Sequence, residues 1–157
     1  MILATIGVVS AEEKLGECTM DMDNLKNYAA PLGRLLLSSL FIYAGFTKLF
    51  VFGPEGTAQF FAKAGALMPE ISNWIAIIVE LIGGIMILIG LQTRWVALIL
   101  AIWCFVTGFG FHLPASAMMH DMNHFYKNLA IAGGFLYVFA FGAGIWSIDR
   151  ATGMEKG

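Results

Sequence analysis

Residues 71–91 read ISNWIAIIVELIGGIMILIGL, and this stretch decides the fold class. About 20 mostly apolar residues cross the hydrocarbon core of a bilayer as a helix, and this stretch has that length with one charged side chain, Glu80. The three residues Gln92-Thr93-Arg94 then lead into residues 95–111, WVALILAIWCFVTGFGF. Because so short a turn joins only antiparallel neighbours, the pattern predicts two membrane-spanning helices packed side by side.

Two further apolar stretches lie outward from this pair, at residues 31–52 and 125–146. Pro31 suits the first turn of a helix, where its missing N–H would have had no partner. Tryptophans fall at predicted span ends, where an indole keeps its ring in lipid and its N–H among headgroups. These are Trp74, Trp95 and Trp146. The sequence therefore predicts an all-α integral membrane four-helix bundle.

Composition supports a bilayer environment. Of the 157 residues, 59% are hydrophobic and 13% are charged, and the mean hydropathy is +0.77. Soluble domains carry roughly 25% charged residues, and a small domain could not hide this much apolar surface from water. The net charge of −2 with no basic run argues against a nucleic-acid partner. Cys18 and Cys104 lie far apart and are interpreted as free thiols.

The chain divides into a tail or surface segment at residues 1–30, a four-helix domain at 31–148 and a tail at 149–157. Between the first two spans, residues 57–68 have the apolar spacing of an amphipathic helix lying in the membrane interface. The arginine and lysine residues near the span ends number six on the side of the termini and three on the other side. This bias predicts that both termini lie in the cytoplasm.

Polar side chains within the spans are the most informative feature, because ionisable groups in a membrane are costly and mark function by default. Lys48, Glu80, Lys127 and Asn128 all fall in the predicted outer half of the bundle, with Glu80 about 10 Å into its helix by the rise per residue. Arg34 lies at the inner end, and we expect it to extend towards the headgroups.

Two interpretations of these charges stay open. One is an ion pair between Glu80 and either Lys48 or Lys127 that sets how the helices align, since buried pairs can specify an arrangement without adding stability. The other is a polar pocket that binds a small anion or a quinone headgroup. Two lysines against one glutamate leave local positive charge, which favours an anionic ligand.

Histidine and methionine cluster between the third and fourth spans. Thioethers and imidazoles together suit copper, so Met119, His120, Met122 and His124 are candidate metal ligands. The alternative is an interfacial loop in which methionine packs against lipid and histidine makes hydrogen bonds. Neither haem ligation at mid-membrane depth nor a nucleotide-binding motif is indicated.

Three segments together resemble the DoxX family. They are Gly33-Arg34-Leu35-Leu36-Leu37 with residues 41–49 (FIYAGFTKL), then residues 80–84 (ELIGG), then residues 127–134 (KNLAIAGG). The resemblance implies a four-helix bundle of the bacterial inner membrane. It also implies a link to thiosulfate:quinone oxidoreductase and to thiol systems, with a quinone as the ligand and a catalytic partner subunit.

The polar positions that match the family pattern are Arg34, Lys48, Glu80, Lys127 and Asn128. On this resemblance, Lys48 and Lys127 would hold a sulfur oxyanion and Glu80 would relay protons as the catalytic residue.

Three functions follow as hypotheses. The first is a quinone-linked redox subunit that acts on a small sulfur anion or thiol. The second is a non-enzymatic scaffold or assembly partner in a larger complex. The third is a small-solute binder or transporter. The lipid bilayer is a partner in all three, and homo-oligomers are allowed by small residues such as Gly142 and Gly144.

Overall fold

The computed structural model describes Leu25, residues 27–113 and residues 122–154, and all regular secondary structure in these parts is helical. We number six helices along them. They are α1 (Asn27–Val51), α2 (Gly53–Lys63), α3 (Pro69–Ile89), α4 (Thr93–His112), α5 (Asn123–Phe141) and α6 (Ile148–Ala151).

Three of these helices, α1, α3 and α4, are long and apolar enough to cross a membrane, with mean hydropathies of 1.4, 2.1 and 1.8. The fourth predicted span corresponds to α5, which has 19 residues and packs along α4. The all-α membrane bundle is thus confirmed. The helix α5 ends at Phe141 and not at Trp146, because Gly142 and Gly144 adopt φ angles of +85° and +79° that turn the chain away.

Close helix contacts at glycine hold α1 against α3. A Cβ added at Gly45 would lie 2.7 Å from the backbone nitrogen of Leu81, and one added at Gly84 would lie 2.9 Å from Cγ1 of Ile42. Small residues at such crossings let backbones approach, which is how helices gain packing energy in lipid. These two contacts fix α1 beside the segment of α3 that carries Glu80.

The bundle core is made by side chains from four helices. Phe41 of α1 meets Phe135 of α5 edge to face, with ring centroids 5.1 Å apart, and both are buried. Ile87 of α3 and Leu100 of α4 are fully buried in the same cluster. Large apolar side chains that face away from this core, such as Tyr137 and Phe141, are more than two-thirds exposed in the protein alone. The bilayer covers them.

We call the end of the bundle at the tight α3–α4 connection the turn end. There the chain beyond α5 folds back, and the Asp149 carboxylate accepts hydrogen bonds from the backbone N–H groups of Gln92 and Thr93, both at 2.7 Å. Asp149 is buried. It satisfies donors at the start of α4 that have no partner within the helix, and a carboxylate is favoured at that position by the helix dipole.

Arg34 also belongs to the turn end. Its guanidinium is buried and donates to the carbonyl of Trp146. The expectation that Arg34 reaches the headgroups was wrong, because the returning C-terminal segment covers it and supplies a backbone acceptor. Arg94 nearby donates to the carbonyls of Phe139 and Ala140 at the end of α5. The charged side chains at this end therefore form hydrogen bonds with backbone groups at helix termini and in the returning chain.

Three of the helices contain a wide, π-helical turn. These turns are Thr47–Val51 in α1, Ile78–Ile82 in α3 and Gly108–His112 in α4. Lys48, Glu80 and His112 lie one in each turn. Turns of this kind are rare in proteins overall, but those that occur are often found at functional sites. The three turns lie around one cavity, which is described in the next subsection.

Candidate functional site

A cavity of about 430 Å³ lies among α1, α2, α3, α4 and α5, and we call it the central pocket. Its volume falls within the roughly 300–1,000 Å³ typical of small-molecule sites. Aromatic and aliphatic side chains form most of the wall, with a few polar groups. The lining residues are Leu40, Phe41, Ala44, Lys48, Thr57, Phe60, Phe61, Glu80, Trp103, Thr107, Phe111, His112, His124, Lys127, Asn128 and Ile131.

Glu80 is the acidic centre of the pocket. Its Oε2 lies 2.5 Å from Nζ of Lys48, and its Oε1 accepts a hydrogen bond from the Trp103 indole N–H at 3.3 Å. Glu80 lies close to the middle of α3. It is only 8% exposed, so its carboxylate is largely shielded from solvent. A buried carboxylate is tolerated when it is paired and hydrogen-bonded, and here each oxygen has a partner.

Two histidines stack on each other at another part of the wall. The rings of His112 and His124 are 18° from parallel with centroids 5.5 Å apart. His112 ends α4 and His124 lies in the first turn of α5, so the stack joins two helices that the chain connects through residues 113–122. Lys127, one turn further along α5, lines the same pocket.

Asn128 holds α5 in place beside α4. Its Nδ2 donates to the carbonyl of His124 at 2.9 Å, and its Oδ1 lies 3.3 Å from the Thr107 hydroxyl. That hydroxyl also lies 2.9 Å from the carbonyl of Trp103. Asn128 thereby connects the first turn of α5, which carries His124, with the turn of α4 that carries Trp103 and Thr107.

The helix α2 covers the pocket. The Thr57 hydroxyl is within hydrogen-bonding distance of the carbonyls of Gly53, at 3.0 Å, and Lys48, at 3.3 Å. Phe61 meets Phe111 edge to face at 5.1 Å. Phe60 is 69% exposed and lines the pocket as well, so this wall of the pocket reaches the surface of the protein.

A second, wider hollow lies between α2 and α3, with a volume of about 1240 Å³. It is an open groove lined by Glu55, Gln59, Glu70 and Asn73 among apolar residues, and it shares no lining residue with the central pocket. It contains none of the candidate catalytic, ligand-binding or metal-ligating residues predicted from the sequence. We therefore place the candidate site in the central pocket.

Four of the five candidate ligand-binding and catalytic residues meet in this pocket: Lys48, Glu80, Lys127 and Asn128. Arg34 lies at the turn end and does not line it.

Of the candidate metal ligands, His124 lines the pocket. Met119 and His120 lie outside the described residues, and Met122 is exposed at the start of α5. Within the described ranges, no group of three histidine, cysteine or acidic residues is arranged to hold a metal ion.

Sequence reasoning did not assign Trp103, Thr57 or Phe61 to the site. Trp103 carried a usable signal, because it is the one tryptophan that lies well inside a predicted span and away from both ends. An indole N–H buried in lipid needs an acceptor, and Glu80 supplies it. Thr57 and Phe61 carried no such signal, since their roles depend on how α2 folds over the bundle.

The comparisons with known proteins agree on one family. The DoxX family model matches residues 29–113. The chain is 34% identical to the inner membrane protein YphA of Escherichia coli over 123 residues, covering 76% of this chain and 86% of YphA. It is 36% identical to the inner membrane protein YqjF of the same organism over 129 residues, covering 82% of this chain and 95% of YqjF.

A more partial relative is named "Putative oxidoreductase CatD", from Bacillus subtilis, at 35% identity over 69 residues, covering 44% of this chain and 48% of CatD. No solved structure matches the chain. With its apolar helices and these relatives, the protein is a multi-pass protein of the bacterial inner membrane. The family match over more than half its length confirms the resemblance seen in the sequence, and the chain belongs to the DoxX family.

Proposed function

We propose that the central pocket binds the headgroup of a membrane quinone, and that the chain is the membrane subunit of an oxidoreductase acting on a small sulfur anion or thiol. The observation that carries this proposal is the pairing of buried Glu80 with the half-buried Lys48 and Trp103 at an aromatic-walled cavity. Few polar groups converging in an apolar pocket are what a small-molecule site requires.

The pocket offers what a quinone headgroup needs. A quinone ring is flat and apolar with two carbonyl acceptors, and Phe41, Phe111 and Trp103 provide aromatic walls. The ammonium of Lys48 has three donors and gives one to Glu80. The remaining donors can serve a quinone carbonyl. We expect the isoprenoid tail to leave the pocket beside Phe60, where the wall reaches the surface of the protein.

Glu80 and Lys48 would supply the acid–base chemistry. Reduction of a quinone to a quinol consumes two electrons and two protons, and a carboxyl paired with an ammonium can hold and pass a proton. The electrons come from the sulfur donor, for example when two thiolates lose one electron each and join as a disulfide. A partner subunit carries them to the quinone. The name of the relative CatD, which describes it as an oxidoreductase, supports this assignment.

Equilibrium binding of a short-chain quinone to the protein in lipid nanodiscs tests the proposal. Glu80→Gln and Trp103→Phe remove a charge and a donor from the pocket, whereas Glu70→Gln makes the same chemical change at an exposed position on α3. We expect at least a tenfold loss of affinity in the pocket variants, worth about 1.4 kcal/mol, and no change in Glu70→Gln. Equal affinities in all three would contradict the proposal.

A second candidate function is a scaffold in which Lys48 and Glu80 only set the alignment of α1 against α3. The ion pair and the Trp103 hydrogen bond, which together occupy both carboxylate oxygens, favour it. This function requires that the protein bind no quinone, and that the pocket variants lose thermal stability without losing any ligand.

A further inference from the structure

A second place in the molecule combines negative charge with exposed apolar surface. It is the wide hollow of about 1240 Å³ between α2 and α3, which we call the α2–α3 groove. Glu55 and Glu70 line it, each in the first turn of its helix, and both are exposed. Among the described residues, no lysine, arginine or histidine lines the groove. Its wall therefore favours a ligand that brings a cationic group.

Asn73 indicates independently that the groove takes a ligand with hydrogen-bond donors. It lines the groove, although only 1% of the residue is exposed. Its Nδ2 donates to the carbonyl of Pro54 at 2.9 Å, whereas its buried Oδ1 has no partner among the described residues. A buried polar atom without a partner costs free energy, so a donor brought by a ligand would stabilise this oxygen.

The α2–α3 groove lies where α3 enters the membrane. Pro69 begins this helix at the end opposite the turn end, and Trp74 follows after about one turn. Tryptophan is enriched at the level of the lipid headgroups. Phe52, Met68 and Ile71 also line the groove and are exposed. Acyl chains can pack against these side chains while the headgroup stays beside the carboxylates.

From these observations we propose that the α2–α3 groove binds an aminophospholipid, a lipid whose headgroup ends in a primary ammonium, as in phosphatidylethanolamine. The carboxylates of Glu55 and Glu70 hold the ammonium, and Asn73 accepts one of its N–H groups. The acyl chains lie against the exposed apolar side chains. This site goes beyond the quinone function and does not depend on it, because the two cavities share no lining residue.

The chemistry of the ammonium distinguishes this lipid from others. A primary ammonium carries three N–H donors, as the lysine side chain does, and its hydrogen bonds to carboxylates are roughly twice as strong as those between neutral groups. The trimethylated headgroup of phosphatidylcholine keeps the positive charge but has no N–H to donate. Phosphatidylglycerol has a net negative charge, which the two glutamates repel.

Two simpler explanations account for part of this arrangement. Acidic side chains in the first turn stabilise a helix through its dipole, which explains Glu55 and Glu70 separately but leaves the unpaired oxygen of Asn73 unexplained. Oxygen ligands also suit a calcium or magnesium ion. A bound metal needs several converging ligands, however, and no group of three histidine, cysteine or acidic residues in the described ranges is arranged to hold one.

Native mass spectrometry of the protein in detergent tests the site, with phosphatidylethanolamine, phosphatidylcholine and phosphatidylglycerol of identical acyl chains as ligands. We expect the first phosphatidylethanolamine to bind at least tenfold more tightly than either other lipid, a difference of about 1.4 kcal/mol. Glu55→Gln combined with Glu70→Gln should remove this preference. Glu55→Lys combined with Glu70→Lys should reverse it towards phosphatidylglycerol. Lys63→Gln, at an exposed position of α2 outside both cavities, should leave the order unchanged.

Equal affinities for the three lipids in the parent protein, or an unchanged preference in the double glutamine variant, would overturn the site. Competition with ethanolamine, magnesium chloride and a lysine-rich peptide separates the lipid from other cationic ligands. None of them is expected to displace phosphatidylethanolamine, because none carries acyl chains. Displacement would contradict the lipid assignment and would assign the groove to a soluble amine, a metal ion or a protein partner, respectively.

Discussion

At the scale of single residues, the pairing of Lys48 with Glu80 is the interaction on which the pocket depends. The two lie 32 positions apart in the chain and are partly shielded from solvent, with side-chain exposures of 22% and 11%. Removing one partner leaves the other charge in a poorly hydrated site, and breaking a buried pair in this way costs about 3–5 kcal/mol. Replacing both partners with apolar groups costs much less.

We therefore expect Lys48→Met and Glu80→Leu each to lower the free energy of unfolding by about 3 kcal/mol, and the double variant to recover much of that loss. Reversible unfolding in mixed detergent micelles measures this, with Lys63→Met as the surface control. Additive losses in the double variant would show that the two side chains are not energetically coupled.

The residues that sequence reasoning found are those whose chemistry conflicts with lipid. Lys48, Glu80 and Asn128 stand out because polar groups are rare in apolar spans, and the structure brings them into one pocket. Phe61 and Phe111 do not stand out, since an aromatic residue in a membrane helix looks the same whether it faces lipid or a ligand. Arg34 also stands out as a polar residue in an apolar span, but its role was predicted wrongly. The backbone carbonyl that it bonds to belongs to a segment more than a hundred positions away in the chain.

At the scale of helices, glycine contacts control how closely α1 approaches the π-helical turn of Glu80. A Cβ on Gly45 would lie 2.7 Å from the backbone nitrogen of Leu81, the residue after Glu80. Backbone cannot move aside as a flexible side chain can. Any side chain at position 45 therefore pushes α1 and α3 apart and separates Lys48 from Glu80.

Gly45→Ala is expected to cost about 1–3 kcal/mol by overpacking and to weaken quinone binding. Gly33→Ala is the matched control on α1, because nothing lies within 4 Å of an added Cβ there, and alanine favours a helix over glycine by about 1 kcal/mol. Thermal unfolding and quinone titration of both variants check this. Equal stabilities would mean that α1 and α3 are not in tight contact.

The positions of the helices along the chain were predictable to within a few residues. The local backbone geometry within and at the end of a helix was less predictable. The span predicted at residues 71–91 is helix α3, which runs from Pro69 to Ile89. Both ends lie two residues earlier than expected, and the helix begins at a proline. The end of α5 at Phe141 was not foreseen, because glycine is common inside membrane helices and only the φ angles of Gly142 and Gly144 reveal a turn. The π-helical turns leave no mark in the apolar pattern.

At the scale of the whole molecule, the charged residues of the turn end and those of the central pocket have different roles. At the turn end, Asp149, Arg34 and Arg94 bond to backbone groups at helix termini and returning chain. In the central pocket, Lys48, Glu80 and Lys127 face a cavity. This division supports the interpretation that the charges at the turn end stabilise the bundle, whereas those in the central pocket bind a ligand. That both termini lie in the cytoplasm stays a prediction from the lysine and arginine bias.

The central claim is that a quinone occupies this pocket, and photolabelling with an azido-quinone in native membranes tests it most directly. Mass spectrometry of the labelled protein should place the adducts on pocket residues such as Phe61, Trp103 and Phe111. Excess unlabelled quinone should remove them, and Glu80→Gln should reduce them at least tenfold. Adducts spread over lipid-facing residues such as Tyr137 and Phe141, undiminished by the competitor, would contradict the claim.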